Sequence, residues 1–238
     1  MLAIYNEVLY RPILNLTVGL YDLLFNDFGL AILALTVIVR LALWPLTHKS
    51  LANQKVMMDL QPKLKEVQNK HKDDKEAQAK AMMALYAEHK VNPLSSCLPL
   101  LIQLPLFIAL YQVLSAGLKS ENLNQLYGFV SNPGHISTMS LGFLDLSTAS
   151  IPLAVLAAIA QYFQAKMMQR KDVKVHGEAS KDEDTMAIMN KQMLYMMPAM
   201  TLFIGWKLPA GLTLYWLLTN IAMIAQQHLA FDRKKAGN

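Results

Sequence analysis

The residue with the most unusual chemical setting is Arg40, a lone charge within the apolar run 28–46, FGLAILALTVIVRLALWPL. An arginine near the centre of a membrane helix costs about 2.5–3.5 kcal/mol on the insertion scale, and less where it reaches the interface. The apolar runs of the chain contain no Asp or Glu that could pair with Arg40. We therefore predict that Arg40 lies in a water-filled cavity and attracts an acidic or polar visitor. The structural alternative is that it snorkels to the cytoplasmic surface or binds backbone carbonyls.

Uncharged polar side chains in the other apolar runs could line the same cavity. They are Gln103, Gln112, Gln161, Gln164, Thr219, Asn220, Gln226 and Gln227. Amides wet a cavity without the desolvation cost of ions. Taken singly, each is more often explained by a hydrogen bond between two membrane helices than by a place in a groove. Taken together, they favour a polar groove, for which we select Gln103, Gln161, Gln164 and Asn220 with Arg40.

The residues that commonly perform catalysis or bind metals are not arranged for either. Five of the six histidines fall in hydrophilic segments, no HExxH spacing occurs, and no Gly-rich phosphate loop is present. Cys97 is the only cysteine, which excludes a disulfide within the chain and a zinc site built on cysteines. We expect a protein that is not an enzyme, with no cofactor and no metal.

The elements that must position these residues are membrane helices. Of the 238 residues, 54% are hydrophobic and 16% are charged, whereas soluble domains have roughly 25% charged residues. A helix needs roughly 20 residues to cross the hydrocarbon core. The predicted fold is an all-α polytopic membrane protein with five transmembrane helices around a polar groove. The predicted spans are 28–46, 94–118, 150–168, 192–207 and 210–228.

Hydrophilic segments separate these spans. Residues 1–27 are predicted to form an external amphipathic segment in the interface, with a helix over roughly 13–26, and 119–149 an external loop. Residues 47–93 have helical spacing with a turn near Asp73 and Asp74, which predicts a helical hairpin in which Pro62 bends or starts a helix. Residues 169–191 form a second cytoplasmic loop and 229–238 a basic tail.

The distribution of lysine and arginine gives the orientation. Segments 47–93, 169–191 and 229–238 carry 17 Lys and Arg, nine, five and three respectively, whereas the opposite side carries Arg11, Lys119 and Lys207. By the positive-inside rule, these three segments are cytoplasmic. The N-terminus is then outside and the C-terminus inside. The excess of Lys and Arg over Asp and Glu is therefore explained by membrane topology, and no sequence-specific nucleic-acid binding is expected.

Four motifs in register resemble the YidC/Oxa membrane-insertase family. They are TVIVRLALWPLTHKS (36–50), LQPKLKEVQNKHKDD (60–74), MMALYAEHKVNPLSSCLPLLIQLPLFIALYQVL (82–114) and KLPAGLTLYW (207–216). The resemblance implies a groove open to cytoplasm and lipid and closed on the far side. It implies that Arg40 is the groove arginine, that Gln164 or Gln161 lines the groove on the third span, and that Trp216 is the aromatic groove position.

The resemblance also implies a function and partners. The protein would be an insertase and chaperone of the inner (plasma) membrane that binds nascent membrane proteins and lipid, with the ribosome, the Sec translocon and the signal-recognition-particle receptor as further partners. Its cytoplasmic hairpin would serve recruitment, through residues Lys63, Lys65, Asp73, Asp74 and Tyr86. The upstream signal segment and large periplasmic domain of many bacterial members are not expected here, and the short tail argues against a ribosome-binding extension.

Two other functional classes remain open at this point. One is an anion channel or solute transporter that uses Arg40 to bind anions, which would produce a solute-dependent current in vesicles. The other is a passive assembly factor that holds helices together and needs no wet groove. Water accessibility at residues 40 and 164 distinguishes the assembly factor from an insertase.

Overall fold

The computed structural model describes residues 2–92, 98–117, 120–168 and 192–232, which are predominantly helical. The α-helices are α1 (Leu2–Tyr5), α2 (Arg11–Leu23), α3 (Phe28–Ala42), α4 (Trp44–Lys70), α5 (Lys75–Glu88), α6 (Leu98–Gln112), α7 (Ile151–Met167), α8 (Met197–Gly205) and α9 (Ala210–Asp232). Wide π-helical turns occupy Asn6–Tyr10, Val113–Gly117 and Gln192–Met196, and a 3-10 helix occupies Ser120–Gln125. The predicted loop 169–191 and the basic tail residues 233–235 lie outside the described residues.

A small β-hairpin interrupts the helical architecture in the predicted external loop. Strands β1 (Met139–Ser140) and β2 (Leu144–Asp145) are antiparallel, with Ser140 opposite Leu144. Leu141 and Gly142 between them have positive φ angles of 51° and 77°. A tight turn of this kind requires such a conformation. The all-α prediction therefore describes most of the chain but misses this hairpin.

The first predicted span contains a sharp break. Helix α3 ends at Ala42 and α4 begins at Trp44, with a bend of 66° between them. Pro45 lies in the first turn of α4, where it lacks an N–H and its ring clashes with the carbonyl four residues earlier. No single described helix is long and apolar enough to cross a membrane, whereas the bent pair α3 and α4 passes that test together.

Helices α4 and α5 form a hairpin closed by a turn around residue 73. Asp74 caps α5 by accepting hydrogen bonds from the N–H groups of Glu76 and Ala77 at 3.0 and 2.9 Å. A small apolar cluster joins the two helices through Leu60, Leu64 and Val91, with Tyr86 packed against it. Helix α4 runs through Pro62 without ending, so the helix start or break falls at Leu43 rather than at Pro62.

The main hydrophobic core lies where α2, the start of α3, the end of α6, the segment 123–148 and the start of α9 meet, and we call this region the packed end. Leu14 and Val18 are fully buried there. Asn15 holds the segment in place by accepting a hydrogen bond from the N–H of Tyr127 at 2.6 Å. The N–H groups of Ala210 and Gly211 donate to the carbonyls of Thr148 and Leu146, at 2.7 and 2.9 Å.

Asp27 ties the β-hairpin to α3. Its carboxylate caps α3 by accepting from the N–H of Leu30, and it also accepts from the Ser140 hydroxyl and the Leu141 N–H, at 3.0, 2.9 and 2.6 Å. A side chain at Gly29 would overlap Ser140, so only glycine permits this close approach. Burial raises the pKa of Asp27, but the hydrogen bonds outweigh it and hold that pKa below its usual value.

Helices α7, α8 and α9 form the other side of the bundle. Small residues let them approach closely, since Ala154 and Ala157 of α7 are fully buried. A Cβ atom at Gly205, the last residue of α8, would lie 3.1 Å from the Cβ atom of Ala154. This close approach determines which faces of α7 and α8 point into the bundle and which point away from it.

Candidate functional site

A cavity of about 450 Å³ lies between α3, α6, α7, α8 and α9. All six predicted groove residues line it, namely Arg40, Gln103, Gln161, Gln164, Trp216 and Asn220. The other lining residues are Leu43, Thr47, Ile102, Leu104, Phe107, Met197, Met200, Thr201, Ile204, Tyr215, Thr219 and Met223. The structure therefore brings together residues that are up to 180 positions apart in the sequence.

Arg40 is buried, with 8% of its surface exposed. Its guanidinium donates a hydrogen bond to Oε1 of Gln103 at 3.3 Å, and Nε2 of Gln103 donates to the Tyr215 hydroxyl at 2.9 Å. This chain of three side chains holds the guanidinium inside the cavity. Among the described residues that line the cavity there is no Asp or Glu. Arg40 therefore presents an uncompensated positive charge, whose natural ligand is a carboxylate or another hydrogen-bond acceptor.

Gln161 and Gln164 both line the cavity, but their amides differ. Gln161 is buried, and its Oε1 accepts a hydrogen bond from the hydroxyl of Thr201 on α8. Gln164 is half-buried, and it makes no hydrogen bond with any described residue. The first amide therefore joins two helices, whereas the second is available to a visitor. The sequence left open which of the two glutamines lines the groove. In the structure both line it, and their amides have different roles.

Asn220 and Trp216 lie on α9 facing the cavity. Nδ2 of Asn220 donates to the Ala157 carbonyl of α7 at 3.3 Å, so this amide too links helices. The Trp216 ring meets Phe107 of α6 edge-on, with ring centroids 5.5 Å apart. The hydroxyl of Thr219, which also lines the cavity, is buried without a partner among the described residues. Such a group needs a water molecule or a ligand.

Several lining residues were not among the predicted site residues. Tyr215 and Thr201 act through the hydrogen bonds described above, and Thr47 links the mouth of the cavity to α9. Thr47 and Gln226 exchange hydrogen bonds, and Nε2 of Gln226 also donates to the Trp44 carbonyl at 3.2 Å. These bonds hold the α3–α4 break against α9. Pro45 is the residue from which the break could have been predicted, although residues 28–46 were predicted to form one span. Nothing in the sequence pairs Thr47 with Gln226.

Methionines form part of the apolar wall. Met197 and Met200 of α8 and Met223 of α9 line the cavity, and Met200 is more than half exposed. Unbranched, polarisable side chains adapt to varied apolar partners. The cavity therefore combines polar groups on one part of its wall with adaptable apolar groups on another.

The five predicted recruitment residues of the hairpin have different structural environments. Asp74 is the α5 cap, and Tyr86 packs on the apolar cluster, where burial raises its pKa. Lys63 contacts Nε2 of His89 at 3.3 Å across the hairpin. Lys65 is half-buried and Asp73 is exposed. In the described part of the chain, no group of three or more His, Cys, Asp or Glu residues is placed to bind a metal.

Comparisons with known proteins agree on one family. Residues 20–236 match the family described as 60Kd inner membrane protein. A protein of Pelobacter propionicus named membrane protein insertase YidC is 35% identical over 222 residues, 92% of this chain and 38% of that protein. One of Geobacter metallireducens with the same name is 32% identical over 226 residues, 92% of this chain and 36% of that protein.

A shorter relative has nearly the same extent as this chain. The Fusobacterium nucleatum protein, also named membrane protein insertase YidC, is 32% identical over 233 residues, 98% of this chain and 99% of that protein. By contrast, the chain spans less than two-fifths of the length of the Pelobacter and Geobacter relatives. The similarity therefore covers the region that the long and the short relatives have in common.

Proposed function

Because the chain belongs to the 60Kd inner membrane protein family, the YidC/Oxa family that its motifs resemble, we propose that it is a membrane protein insertase. It would pass hydrophilic tails of substrate proteins through the cavity and release their apolar segments into the bilayer. One observation carries the proposal. Arg40 and the amides of Gln103 and Gln164 line one cavity whose described walls contain no carboxylate.

The polar part of the cavity replaces water around the substrate tail. A hydrogen bond to a charged group contributes about 1.5–3 kcal/mol, so a tail carboxylate gains from Arg40 part of what it loses on leaving water. Gln164 and the hydroxyl of Thr219 supply further donors and acceptors. The work is binding and release, with no bond in the substrate made or broken.

The apolar part of the process is partitioning. The substrate's apolar segment leaves along the methionine-lined wall and enters lipid at a favourable transfer energy. Helices α3 and α8 have 15 and nine residues, or roughly 22 and 14 Å at 1.5 Å per residue. Both are shorter than the hydrocarbon core of about 30 Å. Short helices favour local thinning of the bilayer, which shortens the path of the polar tail.

The proposed topology has five spans, 28–46, 94–118, 150–168, 192–207 and 210–228, in the inner membrane. The N-terminus is outside and the C-terminus is in the cytoplasm, as the lysine and arginine distribution favours. The packed end then faces outward and closes the cavity on that side. Residues 1–27 lie along the outer interface.

The hairpin formed by α4 and α5 recruits partners on the cytoplasmic side. Nascent membrane proteins are the substrates, and the ribosome, the Sec translocon and the signal-recognition-particle receptor are the proposed partners. Lys63, Lys65 and Asp73 offer charged groups for such contacts, whereas Asp74 and Tyr86 maintain the shape of the hairpin.

The test is insertion of a single-span substrate with a short acidic N-terminal tail into liposomes that contain only this protein. The wild type should protect the tail from external protease, and Arg40→Ala should reduce the initial rate roughly 10- to 100-fold, the equivalent of one charge-assisted hydrogen bond. Arg40→Lys should retain an intermediate rate because it keeps the charge.

Arg11→Ala is the matched control, since Arg11 pairs with Glu7 at 2.8 Å and lies over the Tyr127 ring at the packed end, away from the cavity. It should insert the substrate at the wild-type rate. Equal rates for wild type and Arg40→Ala would contradict the role of the cavity. A chloride current through the same liposomes, lost in Arg40→Ala, would instead identify an anion channel.

A further inference from the structure

A second concave surface lies on the opposite face of α7 and α8 from the cavity. It is a groove of about 500 Å³ between the two helices. Its walls include Val155, Ile159, Tyr162 and Phe163 from α7 and Pro198 and Leu202 from α8. The residues that line the cavity on the same helices are different ones, such as Gln161 and Thr201. The groove is therefore a separate site.

The groove is apolar, open and continuous along one face of α7. Val155, Ile159 and Tyr162 follow the spacing of a helical stripe, and Lys166 continues the same stripe. The 11 residue steps from Val155 to Lys166 cover roughly 16 Å at 1.5 Å per step. The hydrocarbon of one leaflet is about 15 Å thick, half of the full core. The length of the stripe therefore matches the hydrocarbon thickness of one leaflet.

One end of this stripe carries a cation. Lys166 is exposed, and its Nζ lies 5.7 Å from the ring centroid of Tyr162. The ring of Tyr195 is 6.2 Å from that of Tyr162, so two phenol groups flank the same end. Among the described residues no carboxylate pairs with Lys166. A positive charge at the interface end of an apolar groove complements an anionic headgroup above an acyl chain.

We propose that this groove, the α7–α8 groove, is a binding site for an anionic phospholipid. The acyl chain lies against Ile159 and Leu202, and the headgroup phosphate accepts a hydrogen bond from Lys166. An apolar groove in a bilayer is filled because an unfilled one loses dispersion contacts along its walls. The positive charge of Lys166 favours a lipid with an anionic headgroup in the groove.

The test uses the full chain in vesicles made of equal amounts of phosphatidylglycerol and phosphatidylcholine. Native mass spectrometry of the released protein counts the lipids of each kind that remain bound. One lysine near the surface contributes enough to favour the anionic lipid about fivefold. Lys166→Gln should lose that preference, and Lys166→Arg should keep it.

Lys207→Gln is the matched control because Nζ of Lys207 also lies 5.7 Å from an aromatic ring, that of Trp206, but not at the groove. It should keep the wild-type preference. An unchanged preference in Lys166→Gln, or an equal loss in Lys207→Gln, would overturn the proposal, since the selectivity would then come from the overall charge.

Filling the groove tests its apolar part independently. Ile159→Trp should remove the bound phosphatidylglycerol, whereas Val37→Trp, at a similarly exposed position on α3, should not. If Ile159→Trp kept the lipid but converted a dimer into a monomer, the occupant would be a second copy of the chain and the lipid site would be refuted. None of these variants alters Arg40 or Gln164, so insertion through the cavity is tested separately.

Discussion

The packed end and the cavity end of this protein use polar side chains in opposite ways. At the packed end, Asp27 accepts three hydrogen bonds from α3 and the β-hairpin, and Asn15 satisfies the N–H of Tyr127. At the cavity end, Arg40 has no carboxylate partner among the described residues, and the hydroxyl of Thr219 has no partner there either.

The difference indicates a division of labour within one bundle. Polar groups whose hydrogen bonds are complete hold helices and loops in one arrangement, whereas incomplete ones are available to something that enters. Stability should therefore depend on the packed end, and activity on the cavity end.

The largest effect on stability is expected for Leu14→Ala at the packed end. Leu14 is fully buried, and deleting most of its side chain leaves a cavity that costs about 2–5 kcal/mol. Met200→Ala is the matched variant at the cavity end, because Met200 is 54% exposed. Its cost should be well below that of Leu14→Ala in unfolding titrations with a denaturing detergent. Equal costs would mean that the two ends are packed alike.

A smaller loss is expected for Gly29→Ala. The added methyl group would overlap the side chain of Ser140, so the β-hairpin must shift away from α3 at a cost of about 1–3 kcal/mol. Gly19→Ala is the control, because nothing lies within 4 Å of its added methyl group. Combining Gly29→Ala with Ser140→Gly should recover part of the lost stability, because it removes the overlap but also the hydroxyl that donates to Asp27. A failure of that rescue would mean that the overlap is not the cause.

Asp27 should make the attachment of the β-hairpin dependent on pH. The pKa of Asp27 lies below the value of about 3.9 that is usual for aspartate. Its contribution to stability is therefore complete above about pH 3.9, and it is lost as the pH falls through the folded-state pKa. The protection factor of the Leu141 amide, its exchange rate compared with that of an unstructured peptide at the same pH, should fall in that acidic window. Asp27→Ala should lower the same protection factor at neutral pH, at a cost of about 1 kcal/mol for the lost cap.

Asp145 needs its own control in this experiment. Hydrogen bonds from the N–H and hydroxyl of Ser147 hold its pKa below the usual value as well, within the same β-hairpin. The acid-induced change that remains in Asp27→Ala should disappear on adding Asp145→Asn. An unaltered pH response in Asp27→Ala would assign the effect to another group.

The smallest difference in stability, and the most informative one, is expected between Gln161→Ala and Gln164→Ala. Gln161→Ala removes the hydrogen bond with Thr201 and should cost about 0.6 kcal/mol, the average for such bonds between membrane helices. Gln164→Ala should leave stability unchanged but slow insertion of a polar tail. The reverse result, with Gln161→Ala alone slowing insertion, would exchange the proposed roles of the two amides.

The cavity could be predicted from the sequence in so far as its lining residues are of types that are unusual in apolar runs. An arginine in an apolar run and amides in membrane helices stand out whatever the packing is. The chain of bonds from Arg40 through Gln103 to Tyr215 could not be predicted, because it depends on the rotation of α3, α6 and α9 against one another.

Contacts between distant segments were the least predictable part of the fold. Thr47 and Gln226 are 179 residues apart, and no local pattern relates them. The break at Leu43 is different, since Pro45 restricts the backbone there. The β-hairpin at 139–145 depends on Asp27 as an anchor, which local propensity does not register.

Polar tails are expected to cross along the cavity face of α7 and not along its outer face. Photocross-linkers at positions 164 and 159 test it on one helix, because Gln164 lines the cavity and Ile159 lines the α7–α8 groove. A substrate arrested during insertion should cross-link through its hydrophilic tail to position 164 and not to position 159. Cross-linking of the tail to position 159, or equally to both, would contradict the account.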